Sequence, residues 1–330
     1  MSASSTVRVD EVVRETADAV SLVLSAAFPY QPGQFLTLRV PGGAARCYSL
    51  SSSPHTGEAP RITVKKVPGG IGSGWVCEGV AAGDELEVLP PAGTFGPRDL
   101  DRDVLLVAGG SGITPVLSIV TSVLAAGTGR VALFYANRDE KSVIFRDRLA
   151  GLAEEHGDRF TLVHWLESLR GLPTAAAIGD ALAPHASRDA YLCGPSALMD
   201  VAEEGLRAAG ARTVVRERYF SLADDVFAAP APAPAAPVPG GYTAEVHLDG
   251  RVHTVTGAAG TPLLDAMLAA GVDAPYSCRA GLCGACACRV SGGEVKLLKN
   301  EVLDDAELAD GHALACQAAV LAERVEVTYD

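Results

Sequence analysis

Short apolar stretches rich in β-branched residues, separated by Gly and Pro, run through the first hundred residues of the chain. Phe35 to Val40, Arg61 to Val67 and Glu85 to Leu89 show this pattern, which is typical of strands. We therefore predict an antiparallel β-barrel domain over residues 1–100.

From Asp103 the pattern changes to apolar strands that alternate with helical segments. Val104 to Ala108 predicts a buried strand and Pro115 to Ala126 predicts a helix. The later segments of the same kind are Val131 to Ala136, Arg146 to Glu155, Phe160 to Leu166, Asp189 to Cys193, Ala197 to Ala209 and Thr213 to Tyr219. Such alternation predicts a parallel sheet in an α/β Rossmann-like domain over residues 101–222.

A segment of Ala and Pro then interrupts the chain. Ala228 to Pro239 contains only these two residues apart from Val238. This composition predicts a semi-rigid spacer of about 3.1 Å per residue, which would separate its neighbours by up to roughly 40 Å. We assign residues 223–240 to a linker between the second and third domains.

The third domain, residues 241–330, has the pattern of a small mixed fold. Ala244 to Leu248 and Val252 to Val255 predict a hairpin around Asp249 and Gly250, and Pro262 to Ala270 predicts a helix. Together they indicate an α+β domain of the β-grasp type.

Charge and length exclude several classes of protein. The chain has 27 basic and 40 acidic residues, a net charge of −13, which disfavours nucleic acid as a partner. No apolar run reaches the roughly 18 residues of a membrane span, and Met1 to Thr6 lacks the layout of a signal peptide. We therefore expect a cytoplasmic protein.

Five of the eight cysteines lie between Cys278 and Cys316. Cys278, Cys283 and Cys286 form a Cys-x4-Cys-x2-Cys pattern that Cys316 completes at a distance, which is the spacing of plant-type ferredoxins with four thiolates on a [2Fe–2S] cluster. A Zn site is the alternative, but Zn motifs favour paired Cys-x2-Cys knuckles and only one is present. We predict that Cys288 is a buried side chain and not a ligand.

Two motifs in the first domain predict a flavin site. The first is a tetrapeptide that supplies a cation for a pyrophosphate, an aromatic face for a flat ring and a hydroxyl for a ring nitrogen. The second is a glycine-rich loop that runs into a predicted helix, whose free N–H groups can hold phosphate. A surface turn would explain the loop alone, so the prediction depends on both motifs. The predicted flavin residues are Arg46, Tyr48, Ser49, Lys65, Gly70, Gly72 and Ser73.

Two loops of the second domain predict a nicotinamide site. Each follows the carboxyl end of a predicted strand, where α/β sheets bind ligands. The predicted residues are Gly110, Ser111, Gly112 and Thr114 from one loop, and Cys193, Gly194 and Pro195 from the other. Asn137 to Glu140, after the next strand, offers a cation for a 2′-phosphate and acids for a ribose hydroxyl. NADH and NADPH therefore both stay open.

These motifs resemble those of the ferredoxin–NADP reductase superfamily over residues 1–222 and of plant-type ferredoxins over residues 241–330. The resemblance implies that Tyr48 lies against the isoalloxazine and Ser49 near its N5. It also implies that Thr114 and Cys193 lie beside the nicotinamide ring.

A late acid and an aromatic residue approach the flavin in that superfamily. The resemblance implies that Glu217 fills the first place, and that Tyr219 or Phe220 fills the second. The predicted catalytic residues are thus Ser49, Thr114, Cys193 and Glu217.

The order of the three domains is similar to that of reductases of the 3-ketosteroid 9α-hydroxylase and phenylacetyl-CoA epoxidase type, in which the flavin is FAD. Asn137 to Leu149 and His164 to Ala175 are most similar to the ketosteroid branch. The resemblance implies an NAD(P)H-dependent reductase component that delivers single electrons to a Rieske-type or diiron oxygenase. A donor to a cytochrome P450 is the second possibility, and a non-catalytic Cys-metal binding protein would be a different class.

Overall fold

A computed structural model of the chain describes residues 4–219, 221–222, 226–227, 240–303 and 305–329. Phe220 and most of the predicted linker lie outside the described residues. The predicted domain boundaries therefore stay predictions.

The first domain is an antiparallel sheet with one helix. Its elements are β1 (Ser5–Thr16), β2 (Ala19–Ser25), β3 (Phe35–Arg39), β4 (Ala45–Ser49), β5 (Arg61–Lys65), α1 (Ile71–Glu78) and β6 (Glu85–Ala92). The strand order is β4-β3-β6-β1-β2-β5. Leu50, just beyond β4, pairs with Ile62 of β5 at the opposite edge, so the sheet curls into the predicted barrel.

The second domain is the predicted α/β sheet. Its elements are β7 (Val104–Gly109), α2 (Ile113–Ala126), β8 (Val131–Asn137), α3 (Arg146–Glu155), β9 (Phe160–Leu166), α4 (Glu167–Arg170), α5 (Ala175–Leu182), β10 (Asp189–Cys193), α6 (Ser196–Ala208) and β11 (Val214–Glu217). All neighbouring strands are parallel, in the order β11-β10-β7-β8-β9. α2 begins two residues before the predicted start because Pro115 is tolerated within the first turn of a helix.

After the second domain the chain returns to the first. Strand β12 (Ser221–Leu222) pairs with β4 and adds a seventh strand to the barrel sheet. Val226 and Phe227 are then buried in a hydrophobic cluster with Phe35 of the first domain and with the core of the third domain. Apolar packing therefore joins the first and third domains in part of the predicted linker.

The third domain has the expected β-grasp arrangement. Its elements are β13 (Tyr242–Leu248), β14 (Arg251–Gly257), α7 (Leu263–Ala269), β15 (Ala287–Gly292), β16 (Val295–Leu297), α8 (Asp305–Ala309), β17 (His312–Leu314), β18 (Ala318–Val320) and β19 (Arg324–Thr328). A mixed sheet has the order β14-β13-β19-β15-β17, and β16 pairs with β18. Asp249 and Gly250 have φ of 51° and 71°, as the predicted tight hairpin turn requires.

Candidate functional site

An open cleft with a volume of about 260 Å³ lies between the first two domains. All seven predicted flavin residues line it, and Ser111, Thr114 and Tyr219 line it from the second domain. The cleft combines apolar walls with a few polar groups, as ligand sites do. The structure thus brings the two halves of the predicted flavin motif together on one surface.

The start of α1 forms one end of this cleft. A Cβ atom on Gly72 would lie 2.8 Å from Arg46 Cγ and 3.1 Å from the Tyr48 hydroxyl oxygen, so only glycine lets the helix approach the tetrapeptide this closely. Ser73 Oγ accepts a hydrogen bond from the Val67 amide at 3.0 Å and fixes the loop. No side chain caps the first turn of α1, so its N–H groups are suited to a phosphate. Pyrophosphate, with Arg46 beside it, fits this end of the cleft.

The hydroxyl of Tyr219 brings the predicted catalytic residues together. It donates a hydrogen bond to the Ser111 carbonyl oxygen at 2.9 Å and lies 2.9 Å from Thr114 Oγ1. It also hydrogen-bonds with Ser49 and Cys193, and burial raises its pKa. Ser49 of β4, Thr114 of α2 and Cys193 of β10 therefore converge on one point. Of the two aromatic residues that the resemblance offered, Tyr219 lies in the cleft and Phe220 lies outside the described residues.

Glu217 lies behind the cleft. It pairs with Cys193 in the parallel register of β11 and β10, and it lines a small cavity with Cys47 and Ser49. Burial raises the pKa of its carboxyl to about 8, so the neutral acid is favoured at neutral pH. Burial likewise raises the pKa of Cys193, which keeps that thiol protonated.

Glycines in and next to the two predicted nicotinamide loops let these loops pack closely against each other. A Cβ on Gly112 would lie 2.8 Å from the Gly194 nitrogen and within contact distance of the Cys193 carbonyl. A Cβ on Gly109 would lie 2.8 Å from Pro195 Cδ. These residues and Gly110 do not line the cleft, whereas Ser111 and Thr114 do. The glycines thus set the position of the loop that carries the two cleft residues.

The four predicted cluster ligands are buried in the third domain and stand in two pairs. Cys278 hydrogen-bonds with Cys283, and Cys286 hydrogen-bonds with Cys316. Two pairs of thiols suit a cluster of two irons with four terminal ligands. Among the described residues no three His, Cys, Asp or Glu side chains form a group that could hold a single metal ion.

Backbone amides surround the first ligand. The Ala280 and Leu282 amides each donate to Cys278 Sγ at 3.4 Å. The hydrogen bond from Cys283, aided by these amides, lowers the pKa of Cys278 to about 6 and so favours its thiolate. Cys288 is buried, as predicted, and hydrogen-bonds with Tyr329; that it is not a ligand stays a prediction.

The cluster loop also contacts the wall of the flavin cleft. Ser277, one residue before Cys278, has its Oγ 2.6 Å from Thr37 Oγ1 of β3. Thr37 Oγ1 is in turn 3.4 Å from Cys47 Sγ, and Cys47 lines the cleft. Burial raises the pKa of Cys47 to about 12, so it stays protonated. Sequence reasoning missed these three residues, because no local motif marks a contact that spans 240 residues of chain.

Two family models match the chain. Residues 106–204 match an oxidoreductase NAD-binding domain, and residues 246–321 match a 2Fe-2S iron-sulfur cluster binding domain. These matches confirm the predicted nicotinamide nucleotide and [2Fe–2S] cluster as cofactors. No described helix is long and apolar enough to cross a membrane.

Two curated relatives cover nearly the whole chain. The ferredoxin reductase component of 3-ketosteroid-9-alpha-monooxygenase from Rhodococcus rhodochrous is 47% identical over 97% of this chain and 95% of its own. A component of the 1,2-phenylacetyl-CoA epoxidase from Escherichia coli strain K12 is 34% identical over 98% of this chain and 96% of its own.

A solved structure shares the fold from end to end. Phthalate dioxygenase reductase matches with a TM-score of 0.59 at 24% identity, over 99% of this chain and 98% of its own. The likeness confirms the predicted three-part fold of β-barrel, α/β domain and ferredoxin domain.

Proposed function

We propose a function from the premise that this chain belongs to the family of ferredoxin reductase components of 3-ketosteroid-9-alpha-monooxygenases. Membership confirms the predicted class of enzyme, an oxidoreductase that is the reductase component of a multicomponent oxygenase system. Its partner in such a system is a terminal oxygenase.

FAD is the flavin that the cleft fits. Arg46 and the uncapped first turn of α1 hold its pyrophosphate, a group that FMN lacks. Tyr48 and Ser49 line the cleft, so Tyr48 would lie against the ring system and Ser49 at its edge, where the cleft meets Tyr219. FAD in this position takes up an electron pair as hydride and gives up electrons singly.

The residues around the Tyr219 hydroxyl form the position in the cleft where we expect a nicotinamide ring to bind. Thr114 Oγ1 and the Ser111 carbonyl oxygen contact the Tyr219 hydroxyl from the second domain. A nicotinamide ring that enters the cleft would displace this hydroxyl and meet these two groups. Glu217, protonated at neutral pH because of its burial, holds a proton directly behind Ser49.

The proposed partner is the oxygenase of a system that hydroxylates 3-ketosteroids, of Rieske or diiron type. The ketosteroid system is favoured over the epoxidase system because the identity to its reductase is 47% against 34%. Residues 241–330 hold 13 acidic and 6 basic residues, so we expect them to dock on a basic patch of the oxygenase. We place the protein in the cytoplasm because its thiolate ligands need a reducing compartment.

The observation that carries the proposal is the continuity of the site. Ser49, where Thr114 and Cys193 converge, shares one face of β4 with Cys47, and Thr37, the partner of Cys47 on β3, hydrogen-bonds to Ser277 of the cluster loop. A site for a donor of electron pairs beside a one-electron carrier is the arrangement that an oxygenase reductase needs.

Anaerobic stopped-flow mixing with NADH, and separately with NADPH, tests this function. We expect the flavin absorbance to fall first and the cluster absorbance second, followed by hydroxylation of a 3-ketosteroid when the oxygenase component and oxygen are added. A Cys283→Ser variant, which lacks a cluster ligand, should reduce its flavin and support no hydroxylation. Cluster reduction without any oxygenase turnover, or turnover of a cytochrome P450 instead, would contradict the proposed partner.

A further inference from the structure

A hydrogen bond between two buried hydroxyls joins the flavin-binding domain to the cluster loop. Thr37 of β3 and Ser277 are 0% and 1% exposed, and their hydroxyl oxygens are 2.6 Å apart. Ser277 precedes the predicted ligand Cys278. Thr37 faces Cys47 as its direct partner in the antiparallel register of β3 and β4, and Cys47 lines the cleft. The two hydroxyls thus lie between the cleft and the cluster.

Because both hydroxyls are buried, their contact favours one arrangement of the first domain against the cluster loop. A buried hydroxyl without a partner loses free energy relative to one in water. The two hydroxyls are each other's short partner at 2.6 Å, and the Cys47 thiol is a longer and weaker second partner of both. Close packing on the same loop supports this arrangement, because a Cβ on Gly284 would lie 3.4 Å from Thr94 Oγ1 of the first domain. Phe35 and Phe227 supply apolar contacts in the cluster that joins the two domains. Apolar contacts tolerate sliding, whereas a hydrogen bond fixes the register.

We propose that Thr37 and Ser277 are positioning residues, whose hydrogen bond seats the cluster loop against the flavin wall and thereby sets the rate of electron transfer from FAD to the cluster. This inference rests on the proposed function for the identity of the donor and the acceptor. Each transfer oxidises the flavin by one electron and reduces one cluster iron from ferric to ferrous. Two such transfers, each followed by delivery to the oxygenase, account for the two electrons of one hydride.

Four variants of the FAD- and cluster-loaded protein test the proposal. Thr37→Val and Ser277→Ala each remove one hydroxyl, their combination removes both, and Thr37→Ser keeps the donor. Ser291→Ala is the matched control, because its hydroxyl bonds to Glu326 within the third domain. Anaerobic stopped flow measures flavin reduction and cluster reduction separately. Hydrogen exchange of residues 35–39 and 274–285 measures docking directly, with no need for turnover.

We expect each single removal to slow cluster reduction and to speed exchange of both segments by about fivefold, since one net hydrogen bond contributes about 1 kcal/mol and 1.4 kcal/mol is tenfold. The rate of flavin reduction, the cluster midpoint potential and the cluster EPR spectrum should not change. Thr37→Ser and Ser291→Ala should behave as wild type. The double variant should be no slower than the slower single variant, because both remove the same bond.

Several results would overturn the proposal. If both single variants reduced their cluster at the wild-type rate, the hydroxyl pair would not set the rate of electron transfer. A lower melting temperature with unchanged exchange at the two segments would show that the pair stabilises one domain core only. If the wild-type cluster were not reduced by NADH or NADPH, the proposed function would fail, while faster exchange in the variants would still support the docking contact.

Discussion

Replacement of Glu217 by Gln should change how the stability of the α/β domain depends on pH. Burial raises the pKa of this carboxyl from its ordinary 4.5 to about 8. Between these pH values the folded protein binds a proton that the unfolded chain has released. The free energy of unfolding therefore falls as the pH rises from 4.5 to 8, and above pH 8 this group causes no further change. Each unit is equivalent to about 1.4 kcal/mol, so between about pH 6 and about pH 8 the loss is about 2 to 3 kcal/mol.

A glutamine is neutral at every pH and escapes this loss. Urea unfolding at about pH 6 and about pH 8 measures the free energy of unfolding. The experiment uses a Trp75→Phe background, so that the fluorescence reports only Trp165, which lies on β9 of the same sheet. We expect the free energy of unfolding of Glu217→Gln relative to the parent to rise by about 2 kcal/mol from the lower to the higher pH. Glu154→Gln, at an exposed position of α3, is the control and should follow the parent. Parallel curves for the Glu217 variant and the parent would refute the burial of a protonated carboxyl.

Other predictions test the loops, the cofactors and the docking charge. Gly112→Ala should raise the KM for the nicotinamide nucleotide and lower the melting temperature, because its Cβ meets the backbone at Cys193 and Gly194, whereas Gly151→Ala on α3 has open space and should do neither. Cys288→Ser should retain iron and sulfide on analysis, and Ser at any of four positions should lose them: Cys278, Cys283, Cys286 and Cys316. Flavin released by heat should chromatograph as FAD, and FMN alone would contradict the pyrophosphate site. Rising salt should raise the KM for the oxygenase and leave ferricyanide reduction unchanged, since screening weakens only the charged encounter.

Local patterns predicted most of the regular structure. Arg146–Glu155, Phe160–Leu166 and Asp189–Cys193 have the predicted bounds, because each is a continuous apolar or amphipathic run that ends at a polar or glycine residue. The spacing of the cluster cysteines is likewise local, since three of them lie on one loop. By contrast, the short helices α4 and α5 were not predicted: α4 has only four residues, and α5 is an eight-residue, Ala-rich segment with a glycine inside it.

Contacts between distant segments were beyond the sequence patterns. β12 is only two residues long and exists because Leu222 pairs with Ala45, which no feature of its own sequence indicates. Composition assigned Phe227 to the linker, yet it is buried because Phe35 and the third domain surround it. Tyr219 and Phe220 are adjacent aromatic residues, so the resemblance offered either one for the flavin, and the structure shows that the Tyr219 hydroxyl reaches Thr114.

The alternation of side chains along β4 explains how one tetrapeptide serves two kinds of electron transfer. Successive residues of a strand point to opposite faces. Tyr48 packs on the barrel core with its cross-strand partner Leu36, while Cys47 and its partner Thr37 turn toward the third domain. Ser49 lies on the same face as Cys47, so Tyr219 at Ser49 and Ser277 at Thr37 contact one face of β4 and β3 within two residues of each other. The path from the cleft to the cluster loop along this face is short, so the position of the third domain against it follows from the chemistry that the two sites must share.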